Sequence, residues 1–223
     1  MEYRVEDKYY ITDAQIALLM HKLEGFVRKD MNGDNGSYLI RSVYYDDIDD
    51  SCLKTNEDGT DKRSKYRIRA YNHDDSYILL EKKSKNKGFT HKDSCKISLD
   101  DYSRYVTESD YHISESLSFL QKKFCAESQI KMLRPVVIVE YERTAYVETA
   151  GNVRITIDRN IGTSRDFAHF FDEQMEVRPI MPCGRHILEV KYDEILPSYI
   201  KRILDDGALQ RISYSKYYMA RTM

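Results

Sequence analysis

Glu6 and Lys8, Glu81 and Lys83, and Glu189 and Lys191 each set a carboxylate and an ammonium two residues apart. Side chains alternate between the faces of a β-strand, so this spacing puts both members of a pair on one face. Arg67 and Arg69 in KYRIRAY repeat the spacing with two guanidinium groups, while Tyr66, Ile68 and Ala70 take the other face. A guanidinium forks onto two phosphate oxygens, and an ammonium acts as a mobile point charge. Carboxylates supply the oxygen ligands that hard divalent ions such as Mg²⁺ or Mn²⁺ take when they bridge phosphates. Gathered around a cavity, these residues form a site for a highly charged anion with a metal. Facing water, they form an ordinary sheet surface in which each Glu is salt-bridged to its neighbouring Lys.

Taken strand by strand, one parity collects Lys65, Arg67 and Arg69; Glu81 and Lys83; Lys92, Ser94 and Lys96; Arg154, Thr156 and Asp158; and Glu189 and Lys191. The other parity carries Ile78, Leu80, Ile97, Val153, Ile155, Ile157, Leu188 and Val190. For any one strand, a sheet with one face on a core and one in water is the simpler account. Repeated over five strands, clustered like charges repel one another on such a surface, and a bound polyanion reverses the sign. The expectation is an antiparallel sheet closed into a barrel, with apolar residues outward under helices and the polar face lining a charged tunnel. Phosphoryl transfer needs mostly positioning and charge neutralisation, which such a lining supplies.

The elements that must position these residues follow from periodicity and turn signals. A strand over about Glu2 to Ile11 leads into TDAQIALLMHKLEGFV, a helix capped by Thr12 or Asp13 with Ile16, Leu19, Met20 and Leu23 at helical spacing. DMNGDNGS is a loop, Tyr38 to Asp46 a strand, and IDDSCLKTNED a short helix. Strands at Lys62 to Tyr71, Ser76 to Lys85 and His91 to Leu99 form a meander, with Gly88 in the last hairpin loop. Asp100 to Gln129 reads as helical. RPVVIVEYERTAYV and NVRITIDRNI are strands joined by ETAG, HILEVKYDEI is a final strong strand, and SYIKRILDD and SKYYMAR are helices. No linker, repeat or low-complexity tract divides residues 1–223, which points to a single α+β domain.

The totals bound the function. A length of 223 residues with 41% hydrophobic content can build a sizeable core, and a net charge of -2 gives no global field toward nucleic acid or membrane. Four scattered cysteines lack zinc spacing or disulfide density, so a reducing cytoplasm is the simplest setting. No stretch approaches the roughly 20 apolar residues of a membrane span. The six histidines show no ligand spacing, and Tyr44 and Tyr45 read as packing residues. The acidic run Asp46 to Asp50 lacks the glycine and terminal glutamate of an EF-hand and reads as a helix start.

In order and spacing, the chain resembles the VTC domain, the catalytic module of the vacuolar transporter chaperone polyphosphate polymerases, within the triphosphate tunnel metalloenzyme (CYTH-like) superfamily. The resemblance runs from EDKYYIT through YLIRSVYYD, KYRIRAY, LLEKKSK, VEYERTAYV and VRITIDRNI to ILEVKY and YSKYYMA. It implies an antiparallel tunnel barrel with flanking helices. Lys8, Arg67, Arg69, Lys83, Lys96, Arg143 and Arg154 match the tunnel residues that hold phosphates, and Lys216 the last tunnel lysine. Within that set, Lys8, Arg67, Arg69, Lys83 and Arg154 are expected to form the phosphate clamp. Glu189 matches the metal ligand, with Glu6 and Glu81 as supporting carboxylates. The family often has a second lysine where this chain has Ser213, with Arg211 a charge nearby. Arg143 shares the parity of Val137 and Val139, so a bulge or strand end is needed to aim it inward. Eukaryotic members attach the domain to an SPX sensor and a membrane channel, and 223 residues accommodate neither, which implies a stand-alone form. The implied activity is a metal-dependent phosphotransferase: it moves the γ-phosphate of ATP to a growing polyphosphate chain with Mn²⁺ or Mg²⁺. A triphosphatase or nucleoside triphosphatase of the same superfamily, or a non-catalytic polyphosphate-binding module, would use the same cage.

Overall fold

In the computed structural model, which describes residues 4–30, 36–60, 63–86, 89–205 and 209–223, each long strand falls on an alternating segment of sequence. β1 (Val5–Thr12) runs into α1 (Asp13–Leu23), followed by β2 (Arg28–Lys29), β3 (Ser37–Asp46) and α2 (Ser51–Glu57). The meander is β4 (Arg63–Tyr71), β5 (Ile78–Asn86) and β6 (Phe89–Ile97). Next come α3 (Leu99–Tyr102), α4 (Phe119–Lys131), β7 (Arg134–Glu148), β8 (Val153–Ser164) and β9 (Arg178–Pro179). The chain ends with β10 (Arg185–Tyr192), α5 (Ser198–Leu204), β11 (Gln210–Arg211) and α6 (Lys216–Thr222). Thr12 caps α1: its hydroxyl accepts from the Gln15 N–H while the Gln15 side chain accepts from the Thr12 N–H at 2.9 Å. The turn expected at Gly88 lies outside the described residues, as do 31–35 of the DMNGDNGS loop and residues 2–3, 62 and 206 of the expected flanking elements.

The single helix expected over Asp100 to Gln129 is instead two. α3 continues as a π-helical turn over Ser103–Thr107, and the chain then leaves helical geometry at Ser109, whose φ is 55°. Asp110 offers a local alternative to the helix by accepting from the His112 N–H at 2.9 Å and from Arg104 at 2.9 Å. Ser118 then starts α4 with its own capping box, formed with Gln121.

The described residues fall into two compact units. The first comprises residues 1–39, 141–161 and 179–215. There β1 pairs antiparallel with β10, setting Lys8 opposite Glu189 and Glu6 opposite Lys191. β10 in turn pairs with β8, setting Glu189 opposite Thr156 and Lys191 opposite Arg154. The other parity, Ile155, Ile157, Leu188 and Val190, packs with Ile16, Leu19 and Leu23 of α1 and Ile200 and Leu204 of α5. The second unit comprises residues 40–140, 162–178 and 216–223. Its meander sets Tyr44, Arg67, Glu81 and Ser94 in one row across β3 to β6. Val43, Ile68, Leu80 and Ile97 on the other face form a core with Leu120, Phe124 and Cys125 of α4. In each unit the charged parity faces away from the helix-backed core, as the alternation predicts.

Closure of the sheet is not realised. The strand order is β11-β1-β10-β8-β7-β3-β4-β5-β6, with β2 on β7 and β9 on β8, so among the described residues β11 and β6 are open ends. β11 has two residues and, among the described residues, pairs with Tyr9 and Tyr10. β6 exposes His91, Lys92 and Lys96, a charged composition that discourages further pairing at an edge.

Candidate anion-binding faces

On the first unit's charged face the register interlocks two Glu and Lys dyads. Lys8 Nζ lies 2.9 Å from Glu6 and 3.9 Å from Glu189, and donates to the Tyr214 carbonyl at 2.9 Å. Lys191 Nζ lies 2.5 Å from Glu189 and 3.6 Å from Glu6. Glu189 is buried, with 5% of its surface exposed. Arg154 donates to Asp30 at 2.8 Å and to the Tyr38 hydroxyl at 3.3 Å.

Arg143 makes a two-pronged contact with the buried Asp158, Nε to Oδ1 at 2.6 Å and Nη2 to Oδ2 at 2.8 Å. Burial opposes its charge, but Asp158 more than offsets that and keeps the guanidinium protonated. The expected bulge is not required. Ile138 belongs to the core beneath α4, and Tyr146 packs against the apolar core of the first unit. Alternation from those positions puts Val137, Val139, Tyr141 and Arg143 on the opposite face. Val137 and Val139 are therefore buried residues of the charged side of β7 rather than residues beneath the helices.

In the second unit the centre is Glu81, which is 1% exposed. Arg67 Nε lies 2.6 Å from its carboxylate, Lys92 Nζ 2.9 Å and Arg69 Nε 3.7 Å. Arg67 Nη1 also donates to the Tyr44 hydroxyl at 3.2 Å, and Arg69 Nε to Ser42 Oγ at 3.2 Å. Burial alone would raise the pKa of Glu81, but Arg67, Arg69 and Lys92 hold it down at about 2. Burial likewise works to raise the Tyr44 phenol, and Arg67, Arg69 and Lys216 bring it to about 8. Lys65 lies with its ammonium 4.2 Å over the Tyr217 ring and 3.0 Å from Asn56 Oδ1; burial lowers it to about 8. Lys83 stands opposite both Lys65 and Lys92 in the register and is exposed, as is Lys96. Among the described residues no three His, Cys, Asp or Glu side chains gather as a metal site.

A pH dependence follows from Glu81. Its folded pKa lies below its ordinary value of 4.5, so its stabilisation is fully present above pH 4.5 and is lost as pH falls through about 2. The span corresponds to about 3 kcal/mol. A Glu81→Gln variant is expected to be less stable at pH 7, because three cations lose their partner. Its acid unfolding curve, followed by circular dichroism, should be flatter between pH 4.5 and 2 than that of the wild type.

One element of the site is absent from the spacing argument. Asp46 is fully buried at the end of β3 and accepts from the N–H groups of Cys52 at 2.8 Å and Leu53 at 3.1 Å, at the start of α2. It also accepts from the Tyr217 hydroxyl, and Arg221 Nη1 lies 3.5 Å from it. Arg221 Nη2 donates to Asp50 at 2.7 Å. The acidic run is thus a helix start, as its composition suggests, and it also anchors α6, the helix that opens with Lys216.

The model of the VTC domain family matches residues 3–223. No curated protein matches the sequence. Among solved structures, a candidate adenylate cyclase from Bacillus halodurans superposes with a TM-score of 0.57 at 12% identity, over 96% of this chain and 94% of that one. A second candidate adenylate cyclase, from Vibrio parahaemolyticus, gives 0.52 at 10% identity over 98% and 97%. A protein from Pyrococcus horikoshii gives 0.51 at 16% identity over 97% of each chain. At such identities these likenesses establish a common fold and nothing of substrate. The family match spans nearly the whole sequence: the chain belongs to the VTC domain family.

Proposed function

We propose that this chain is a polyphosphate polymerase that transfers the γ-phosphate of ATP to the end of an inorganic polyphosphate chain. The observation that carries the reading is the cluster around Glu81, where Arg67, Arg69 and Lys92 converge on one buried carboxylate. That face keeps an excess of positive charge, which a polyanion would neutralise. Arg67, Arg69 and Lys83 on the second unit's face, and Lys8 and Arg154 on the first unit's, act as phosphate-clamp residues, with Lys96 and Lys216 of the second unit and Arg143 of the first as further cations. Glu81 orients the guanidinium planes of Arg67 and Arg69; surrounded by three cations, it does not suit a divalent ion. Glu189 and Glu6 would suit one, being two hard oxygen donors set against two lysines rather than one carboxylate against three cations. Bound there, Mn²⁺ or Mg²⁺ would supply neutralisation of the charge that develops on the phosphates.

In the reaction, the bond from the γ-phosphorus to its bridging oxygen breaks, ADP leaves, and a terminal oxygen of the polyphosphate chain bonds to that phosphorus. The acceptor is itself the nucleophile, so the protein contributes position and charge. No helix among the described residues is long and apolar enough to cross a membrane, and we place the reaction in the cytoplasm. Ser213, standing where the family often has lysine, favours a second reading in which water is the acceptor and the chain is a triphosphatase. Incubation with ATP and Mn²⁺, with products resolved by chain length, tests the assignment. Polyphosphate longer than triphosphate is expected. Phosphate release without chain growth would assign the hydrolase, and retained polyphosphate with no turnover would leave a binding module.

A further inference from the structure

Thr156 stands at the middle of the first unit's charged face. It lies on β8 between Arg154 and Asp158, directly opposite Glu189 on β10, which is itself opposite Lys8 on β1. Only 2% of its surface is exposed, and its hydroxyl has no hydrogen-bond partner among the described residues. Its polar neighbours are all engaged: Asp158 by Arg143, Arg154 by Asp30 and Tyr38, and Glu189 by Lys191. Valine has nearly the same shape and β-propensity and carries no group that needs a partner. A buried hydroxyl that nothing in the fold uses is a cost unless something bound to the face uses it.

We propose that Thr156 Oγ1 donates a hydrogen bond to a non-bridging oxygen of a phosphate bound on this face. Lys8, Lys191 and Arg154 around it supply charge, which acts over distance with little demand on direction. The hydroxyl supplies a short, directional contact from a side chain fixed by burial, and so sets where along the chain a phosphate comes to rest. This inference rests on the reading of the face as a triphosphate site.

The test uses the full chain as wild type, Thr156→Val and Thr156→Ser, with tripolyphosphate as the probe. Two quantities are measured: affinity by titration calorimetry, and melting temperature without ligand. Thr156→Val is expected to melt at or above the wild-type temperature and to bind about fivefold to tenfold more weakly, while Thr156→Ser binds like the wild type. Wild-type binding that Thr156→Val leaves unchanged overturns this inference alone. A lower melting temperature for Thr156→Val also overturns it, because the hydroxyl would then have a structural partner. A wild type that binds no tripolyphosphate overturns the functional reading and this inference with it.

Discussion

Replacing Arg67 with Ala is expected to slow phosphoryl transfer by about 10²–10³-fold, the usual consequence of removing one preorganised donor from developing negative charge. The side chain is well fixed for that task, with Nε 2.6 Å from Glu81 and Nη1 3.2 Å from the Tyr44 hydroxyl. Its loss leaves Glu81 paired with Lys92 at 2.9 Å and near Arg69 at 3.7 Å, so folding should suffer much less than turnover. Arg67→Lys keeps the charge but not the planar fork and should recover only part of the rate. Steady-state kinetics on ATP, with circular dichroism of each variant, separate the two effects.

Asp46→Ala is expected to have the largest effect on stability, about 3–5 kcal/mol, in the range seen when one partner of a buried ionic cluster is removed. For a chain of this length that is a fall in melting temperature of roughly 6–20 °C. Two N–H groups at the start of α2, the Tyr217 hydroxyl and Arg221 all lose an acceptor together. Burial and Asp46 push the Tyr217 phenol far above its ordinary value, so it stays a donor at any working pH. Without Asp46, α6 loses the contacts of Tyr217 and Arg221 to the end of β3 and keeps the Arg221–Asp50 bond, so Lys216 at its start is expected to be held less firmly. Thermal melting and carboxypeptidase digestion of the C-terminus report the two consequences. Tyr217→Phe, which removes one donor and keeps the ring beneath Lys65, should cost far less.

The alternation of charged and apolar residues makes both faces legible in the sequence, because one parity has to pack beneath helices. Which carboxylate meets which cation was less legible. Spacing coupled Glu81 to Lys83, yet the carboxylate meets Arg67, Arg69 and Lys92 from the neighbouring strands. Residues directly opposite across a ladder come within about 5 Å of each other, whereas same-face neighbours along one strand are farther apart, and spacing carries no register. For Arg143 the alternation holds without a bulge, because Val137 and Val139, whose parity it shares, are buried on the face away from the helices. Closure of the sheet is likewise no property of alternation: an open and a closed sheet share it. The two-residue strands β2, β9 and β11 are too short to show any period. Asp46 was visible as one acid in a run of them, but its tie to Tyr217 and Arg221 spans more than 170 residues and leaves no local signal.

The central claim, that the charged faces exist to hold chained phosphates, is tested most directly by titrating tripolyphosphate into the wild type, Lys8→Ala and Arg67→Ala at low and high salt. The account predicts wild-type binding that weakens with added salt and is impaired in both variants. No binding by the wild type, or binding that neither substitution alters, would contradict it.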